Sequence, residues 1–469
     1  MNIYTFIEYY LWSITLCVFI FLIDDLFIDF TARIKKIGPR AISKNTLYDP
    51  LNSKMLAIMV ANWKEDAVLE SMIKGNMANL PMENVHIFLG VYPNDTATME
   101  IAVKMERLYP RVHAVINTQE GPTYKGQMLN EIVKHIFQTE DELGVEFEGF
   151  ILHDSEDILD PKIPYLYSLG LREADFIQTP VFSLPVKWWD LTAGTYMDEF
   201  AEIHTKDLLV RQYMGAALPS AGVGTCLSRR LILTFLSRQN EEVFLPDSLT
   251  EDYQIGLQTT IWGFRSTFLC CYVEEEGLSK IISTREFFPH KFWQSIRQKT
   301  RWTTGIAFQG AKNIGWFGNF WQRYFLWRDR KGPINAFLTL NLIFIVLLIP
   351  ILPEGRVYFS NKYLQFILLL NTFGMFLRFG SRISCVEKLY GKTNAYSAII
   401  RWPSAMVINM WSGIRSTRQY YESSITGKKI KWVKTEHRLP EGFGETLEPI
   451  IYREQSTQIS LEHESQLQL

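Results

Sequence analysis

Three acids within four residues close a short apolar run at Phe150-Ile151-Leu152-His153-Asp154-Ser155-Glu156-Asp157. Such a run reads as a buried strand, and carboxylates packed this closely repel one another unless a cation sits among them. Hard oxygen ligands suit Mg²⁺ or Mn²⁺, ions that usually arrive with a phosphate. Open α/β sheets bind ligands beyond the carboxyl ends of their strands, which is where these acids fall. A polar loop with a helix cap is the plainer reading, since Asp160-Pro161 follows closely. Three other sites accompany the cluster: Asp95, Thr250-Glu251-Asp252, and Gln298-Lys299-Thr300-Arg301-Trp302. Taken singly they are ordinary, because a strand-end aspartate caps a helix and an Arg-Trp pair anchors at a membrane interface. Their succession along one domain is what points to chemistry.

The elements between these sites alternate. Lys54 to Ala61 reads as a strand opening into Asn62-Trp63-Lys64-Glu65-Asp66, followed by a helical pattern through Leu69, Ile73 and Met77. Val85 to Val91 is the next strand, then come a helix near Thr98 to Leu108 and a strand at Val112 to Ile116. The loop Gly121 to Gly126, with Lys125, and a helix around Met128 to Phe137 lead to the acidic strand end. This rhythm, repeated over about a hundred residues, predicts a mostly parallel sheet with helices on both faces, the nucleotide-binding kind of α/β fold. Beyond Ala174 it breaks. Phe176 to Phe182 and Arg265 to Val273 read as further strands, Ala193 to Tyr213 as a helix, and Ser220 to Thr225 as a small-residue loop. Glycines there permit close approach of backbone to a ligand, although a tight turn needs them equally.

A balance of 48 Lys and Arg against 50 Asp and Glu leaves a formal charge of -2, which argues against nucleic acid as the main partner. Five cysteines show no metal spacing and no even framework, so they read as core residues in a reducing compartment. Three apolar segments read as membrane spans. Ile334 to Leu352 carries no charge and approaches the ~30 Å hydrocarbon thickness at about 1.5 Å per residue. Tyr9 to Ile23 and Tyr363 to Leu377 are shorter, and the first lacks the cationic start of a signal peptide. Arg33, Lys35 and Lys36, then Arg328, Arg330 and Lys331, then Arg378, Arg382 and Lys388 place the middle of the chain in the cytoplasm. Phe287 to Gln309 is amphipathic and suits the membrane interface. Asn394 to Tyr421 holds Arg401, costly in hydrocarbon, and is expected to be interfacial rather than spanning. The chain thus divides into an N-terminal span (1–30), an α/β domain (50–310, with the interfacial helix 287–309), two spans (334–380), an interfacial helix (394–421) and a cytoplasmic tail (422–469) whose end is expected to be disordered.

With the four sites in this order between membrane segments, the chain resembles the processive family-2 glycosyltransferases, the group of cellulose and hyaluronan synthases. Asp95, Asp154-Ser155-Glu156, Thr250-Glu251-Asp252 and Gln298 to Trp302 match that family's isolated Asp, its DxD-type metal motif, its acceptor-site motif and its QxxRW. Within the family it is most similar to the transferase part of bacteriophage-adsorption-type proteins of the bacterial inner membrane, through Ile23-Asp24-Asp25-Leu26-Phe27-Ile28-Asp29, the His153-Asp154-Ser155-Glu156-Asp157 form of the metal motif, and Trp432-Val433-Lys434-Thr435-Glu436-His437. Longer members carry a further C-terminal regulatory module, for which no counterpart is expected in this sequence.

The resemblance implies a GT-A fold, the nucleotide-diphospho-sugar transferase kind, on the cytoplasmic side. It implies a UDP-sugar donor, a polysaccharide or glycolipid acceptor, Mg²⁺ or Mn²⁺ as cofactor, and an export partner or oligomer. Asp252 is then the base, Asn62, Glu65, Asp95, Lys125 and Asp154 face the donor, and Glu251, Gln298, Arg301 and Trp302 face acceptor and diphosphate. The metal falls to Asp154 with Glu156 or Asp157, because the third DxD position is Glu rather than Asp. Lys125 either touches the donor or pairs with an acid. Trp302, Trp188 and Trp189 either stack on sugar rings or pack, and for Trp188 and Trp189 packing is preferred. Two other functions remain open: a non-enzymatic envelope scaffold or phage-entry factor, and single-sugar transfer to a lipid carrier.

Overall fold

In the computed structural model, which describes residues 3–80, 83–245, 248–348, 361–428, 430 and 450–453, the four apolar runs become β1 (Leu56–Ala61), β2 (Val85–Val91), β3 (Val112–Ile116) and β4 (Gly149–His153). The chain enters through α1 (Ile3–Ile34), and the crossovers are α2 (Leu69–Asn79), α3 (Thr96–Leu108) and α4 (Lys125–Leu143). β2 and β4 are buried along their whole length, as strands covered on both faces must be. Successive side chains go to opposite cores. Met59, Phe88 and Leu152 meet Met128 and Ile132 of α4. Ile58, Ile87 and Leu89 meet Leu69 and Ile73 of α2 and Met105 of α3.

Three more strands, β5 (Phe176–Gln178), β6 (Thr225–Ser228) and β7 (Ser266–Phe268), complete a sheet in the order β7-β5-β6-β4-β1-β2-β3. Only β6 runs antiparallel to its neighbours, so the sheet is mostly parallel but mixed. Two strands expected from the sequence are each divided. Phe176 to Phe182 breaks at Thr179-Pro180, and Val181–Ser183 joins a separate small sheet with Ile158–Leu159 and Thr284–Glu286. Proline lacks the ladder N–H, and the chain changes sheets there. Arg265 to Val273 likewise gives β7 and then Cys271–Glu275, which pairs with Arg40–Ala41 and Leu278–Ile281. An unbroken apolar run does not reveal a change of pairing partner.

The second half adds α5 (Ala193–Glu202), α6 (Glu251–Ile261), α7 (Phe292–Thr303), α8 (Phe320–Arg330), α9 (Gly332–Leu348) and α10 (Lys362–Thr426). The expected helix from Phe287 starts at Phe292, and it continues past α7 as a π-helical turn, Thr304–Gln309. By length and composition α1 and α10 are able to cross a membrane, whereas the apolar part of α9 is shorter. Asp24, Asp25 and Asp29 near the end of α1 tie it to the helices that follow the α/β domain, and Asp29 also pairs with Lys206 inside that domain. Asp24 pairs with Lys331 at 2.6 Å, Asp25 with Lys331 at 2.8 Å, and Asp29 with Arg378 at 2.6 Å. Arg378 and Arg382 also reach Glu202 of α5, at 2.7 and 2.8 Å.

The stretch 394–421 lies in a helix of its own. It is joined to the third apolar segment through a kink at Gly391, whose φ of 77° breaks the helical path. The two halves lie close, with Phe379 and Trp402 rings 4.2 Å apart. Arg401 is fully buried and held bidentately by Asp198 of α5, at 2.5 and 2.8 Å. It is therefore satisfied by protein rather than by lipid headgroups. Gly194 makes room for it, since a Cβ there would lie 2.3 Å from Arg401 Cδ. Burial raises the Asp198 carboxyl to about 6 even against the opposing charge of Arg401. Removing one member of a buried pair leaves an uncompensated charge, so Arg401→Met is expected to cost about 3–5 kcal/mol of stability. Thermal unfolding of detergent-solubilised protein checks this, and an unchanged Tm would contradict it.

In the expected tail, Ile450 and Tyr452 are buried, and Ile451 bridges Lys280 at the edge of a small sheet. The Arg453 N–H donates to Lys388 O at 2.8 Å, beside the Gly391 kink. Residues 349–360, the 432–437 motif and everything after Arg453 lie outside the described residues.

Candidate active site

A cleft opens beyond the carboxyl ends of β1, β2 and β4, walled by the start of α6 and by α7. Its floor comes from Asn62 and Glu65 after β1, Tyr92 after β2, Lys125 at the start of α4, and Asp154, Ser155 and Glu156 after β4. Opposite stand Gly222, Thr250, Glu251 and Asp252, with Gln298, Arg301 and Trp302 from α7. Thus the three late motifs, far apart in sequence, converge on one cavity. A wider depression at the other end of the sheet, between Lys54, Arg172, Arg229 and Arg230, contains none of the motifs. Its cations are paired with Glu148, Asp49, Glu140 and Asp175.

Asn62 ties the floor together. Its Nδ2 donates to Val60 O and Gly90 O, both at 3.0 Å, and its Oδ1 accepts from Ser155 Oγ at 2.8 Å. Glu65 is placed by its N–H, which donates to Thr98 Oγ1 at 3.0 Å. Asp95 departs from expectation. It does not line the cleft; its carboxylate accepts from the Lys64 N–H at 2.5 Å and so joins the loops after β1 and β2.

Asp157 departs as well. Its Oδ2 accepts from His153 Nδ1 at 2.9 Å and from the Asp154 N–H at 2.8 Å, folding the turn after β4 with the carboxyl inward. The residue is almost wholly buried and outside the cleft, which leaves Glu156 as the neighbour of Asp154 that faces it. The Asp157 carboxyl is raised by burial, against the hydrogen bond from His153. Lys125 pairs with Asp154. Burial pulls the ammonium pKa down, but Asp154, Glu251 and Asp252 around it hold it above the ordinary lysine value.

Asp252 Oδ1 accepts from the Tyr253 N–H at 2.8 Å, while Oδ2 faces Gly222, where an added Cβ would lie 2.5 Å away. Gly222 has φ 86°, which favours glycine for a second reason. Burial first, and then the charge of Asp252, push the Glu251 carboxyl up to about 7, with Lys125 opposing. Burial likewise raises Asp252, against the pull of Lys125 and Arg301. Arg301 forms no hydrogen bond or close ion pair with any described residue, and Gln298 Oε1 is buried without a partner. An uncommitted guanidinium over a carboxylate-lined cleft suits a diphosphate, which it binds with paired N–H bonds.

Trp302 lines the cleft and packs edge-on against Tyr196 at 5.9 Å, with Phe200 at 6.3 Å. Trp188 and Trp189 are half exposed, contact each other at 5.4 Å, and lie outside the cleft. Sequence reasoning missed Glu286, Tyr92 and Phe200, all in the lining. Glu286 ends a strand of only three residues, too short to show as a strand end in the sequence.

The π-helical turn after α7 presses on the acidic motif at Gly305, where a Cβ would lie 2.3 Å from Thr250 Oγ1. Gly305→Leu is therefore expected to push the π-helical turn away from Thr250 and to lower activity by about 10²-fold, the cost a misplacement near 1 Å can carry. Turnover per folded molecule measures it; an unimpaired Gly305→Leu protein would show that the spacing is unimportant.

The chain is similar to known proteins. Residues 53–305 match the model of "Glycosyltransferase like family 2". Bacteriophage adsorption protein B of Escherichia coli (strain K12) is 35% identical over 92% of this chain. The Bacteriophage N4 adsorption protein B of Escherichia coli O157:H7 matches equally, at 35% identity. The chain spans 63% of the length of these relatives. Among solved structures, a mannosyltransferase from Pyrobaculum calidifontis in complex with GDP-Man and Mn²⁺ covers 87% of this chain and 99% of its own, at 11% identity and a TM-score of 0.49. With the family model covering the sheet and every motif of the cleft, the chain is a GT-A-like α/β glycosyltransferase and belongs to glycosyltransferase family 2.

Proposed function

We propose that the chain moves a sugar from a UDP-sugar to a hydroxyl of a polysaccharide or glycolipid, with Asp252 as general base and with inversion at the anomeric carbon. The observation that carries this is the placement of a half-buried carboxylate, Asp252, across one cleft from Asp154 and Lys125, with the uncommitted Arg301 beside it. The acceptor O–H gives its proton to Asp252 as the acceptor oxygen forms a bond to the anomeric carbon. The bond from that carbon to the diphosphate breaks, and the electron pair leaves with UDP. Lys125 and Arg301 stabilise the charge that grows on the leaving group. A single displacement at that carbon inverts its configuration.

Asp154 and Glu156 supply hard oxygen donors of the kind Mg²⁺ and Mn²⁺ take. Among the described residues no group of three or more His, Cys, Asp or Glu side chains is placed to hold a metal. Two carboxylates fit an ion that completes its shell with water and substrate phosphates. Such an ion would act as a Lewis acid on the leaving diphosphate, and Asp154 and Glu156 would hold it.

The apolar α1, α9 and α10 support anchoring in the bacterial inner membrane as a multi-pass protein with the cleft on the cytoplasmic side. Two or three spans are few for a polymer conduit, so an export partner or a second copy would complete one. The relatives' names favour a second reading, an envelope component that phages use; it stands without catalysis only if the cleft is inert.

Purified membranes offered a panel of UDP-sugars with Mg²⁺ or Mn²⁺ test the proposal. UDP release with one sugar, abolished by chelation, is expected, and product sizing then separates polymer from single transfer. No release from any sugar with either metal would overturn it in favour of the envelope component.

A further inference from the structure

Gln178 ends β5 outside the cleft lining, almost wholly buried, and none of the four motifs includes it. Its side chain nonetheless holds the loop that faces Asp252. Nε2 donates to Val223 O at 2.9 Å and to Gly224 O at 3.1 Å, and also lies 2.9 Å from Thr179 O. Oε1 accepts from the Ala221 N–H at 2.9 Å and from Thr225 Oγ1 at 2.7 Å. Every donor and acceptor of the amide is therefore engaged, most of them by the Ala221 to Thr225 stretch. The remaining joints come from Thr179, whose N–H and Oγ1 donate to Gly224 O at 2.8 and 3.0 Å, and from within the loop, where Gly222 N–H donates to Ser220 Oγ at 3.0 Å and Ser220 Oγ meets Thr225 Oγ1 at 2.7 Å.

This loop needs such support. Gly222 and Gly224 both have positive φ, at 86° and 64°, and glycine backbone gains nothing from side-chain packing. A buried amide bonded on both its ends fixes a backbone path that the loop's own residues do not.

We propose that Gln178 is a positioning residue for transfer. It sets the path of Ala221 to Gly224 so that the Gly222 backbone walls Asp252 Oδ2, keeping that carboxylate in one orientation and away from water. The proposal rests on Asp252 acting as the base, as argued above. The amide is required in kind as well as in shape. A carboxylate at this position would turn acceptor oxygens toward the carbonyls of Val223 and Gly224, and a thioether would satisfy none of the bonds.

The test uses Gln178→Glu and Gln178→Met in the full chain in detergent or membranes. The second variant buries no new charge if the first fails to fold. Two quantities are read on folded protein: hydrogen exchange of the Ala221 and Gly222 amides against those of β1 and β2, and the rate of UDP release with affinity for UDP itself measured separately. Positioning predicts faster exchange confined to the loop. It also predicts a kcat lowered by about 10²-fold, the usual cost of a misplaced group near 1 Å, with UDP affinity within about twofold. Unchanged loop exchange in both variants overturns the proposal whatever the enzyme's donor. Unchanged kcat with loosened loop amides overturns it too, by separating the loop from catalysis. A purely structural role would lower Tm and yield while leaving kcat per folded molecule intact. If the wild-type chain releases no UDP from any sugar, the transferase assignment fails on its own evidence, and exchange alone then decides whether Gln178 orders the loop.

Discussion

Asp252→Asn is expected to lower sugar transfer per folded molecule by about 10²–10⁴-fold, the usual contribution of general-base assistance. The amide keeps the volume and the hydrogen bond from the Tyr253 N–H, so the cleft retains its shape and donor affinity should change little. What is lost is the acceptor for the proton. A leaving diphosphate is a good leaving group, but an alcohol is a poor nucleophile until its proton is taken. The same geometry predicts a pH profile. Burial raises Asp252, and burial with the charge of Asp252 raises Glu251 to about 7, so the two acids titrate as a pair above the ordinary carboxylate range. The base works deprotonated. The rate should therefore be full on the alkaline side of the pair and fall as pH drops through these raised values, rather than near the ordinary 3.8 of an aspartate. In Asp252→Asn, Glu251 loses the neighbouring charge and should titrate lower. UDP release followed against pH for both proteins reads these effects together. Near-normal turnover in the asparagine variant would remove Asp252 from the base role.

Asp154→Asn should be comparably damaging for a different reason. Asp154 is the carboxylate beyond β4 that faces the cleft and pairs with Lys125. Its loss is expected to abolish stimulation by Mg²⁺ or Mn²⁺ and to lower transfer by about 10²–10⁴-fold, corresponding to several kcal/mol of Lewis-acid stabilisation. Asp157→Asn provides the contrast. Asp157 is turned inward against His153, so its substitution should unsettle the turn and lower Tm while metal stimulation persists. Metal titrations of UDP release, with thermal unfolding alongside, separate the two variants. Equal loss of metal response in both would restore Asp157 as a ligand.

Much of this was legible in residue order. Strands are short apolar runs, those of β1, β2 and β4 buried on both faces, and each ended where the alternation placed it, so β1 to β4 and the acids beyond β4 were expected before any tertiary contact was known. Gly391 shows where that legibility stops. The stretch after it is apolar but carries Arg401, which argues for lipid headgroups as the partner of that charge, yet Arg401 is met by Asp198, more than two hundred residues earlier in the chain. No local pattern announces a partner at that distance. The acidic cluster shows the same limit at short range. Glu156 and Asp157 are adjacent and equally charged, and only the turn after β4 decides that one faces the cleft and the other His153.

The sequence by itself thus determined the α/β frame, the order of the four motifs and the kind of chemistry their side chains allow, because periodicity and residue type are local properties. The tertiary structure decided which acids share the cleft, that Asp95 instead ties two loops together, and that Gly222, Gly305 and Gln178 set the spacing around Asp252. Those outcomes depend on distances between segments far apart in the chain, and such distances are set only when the sheet order and the contact of the turn after α7 with Thr250 are formed.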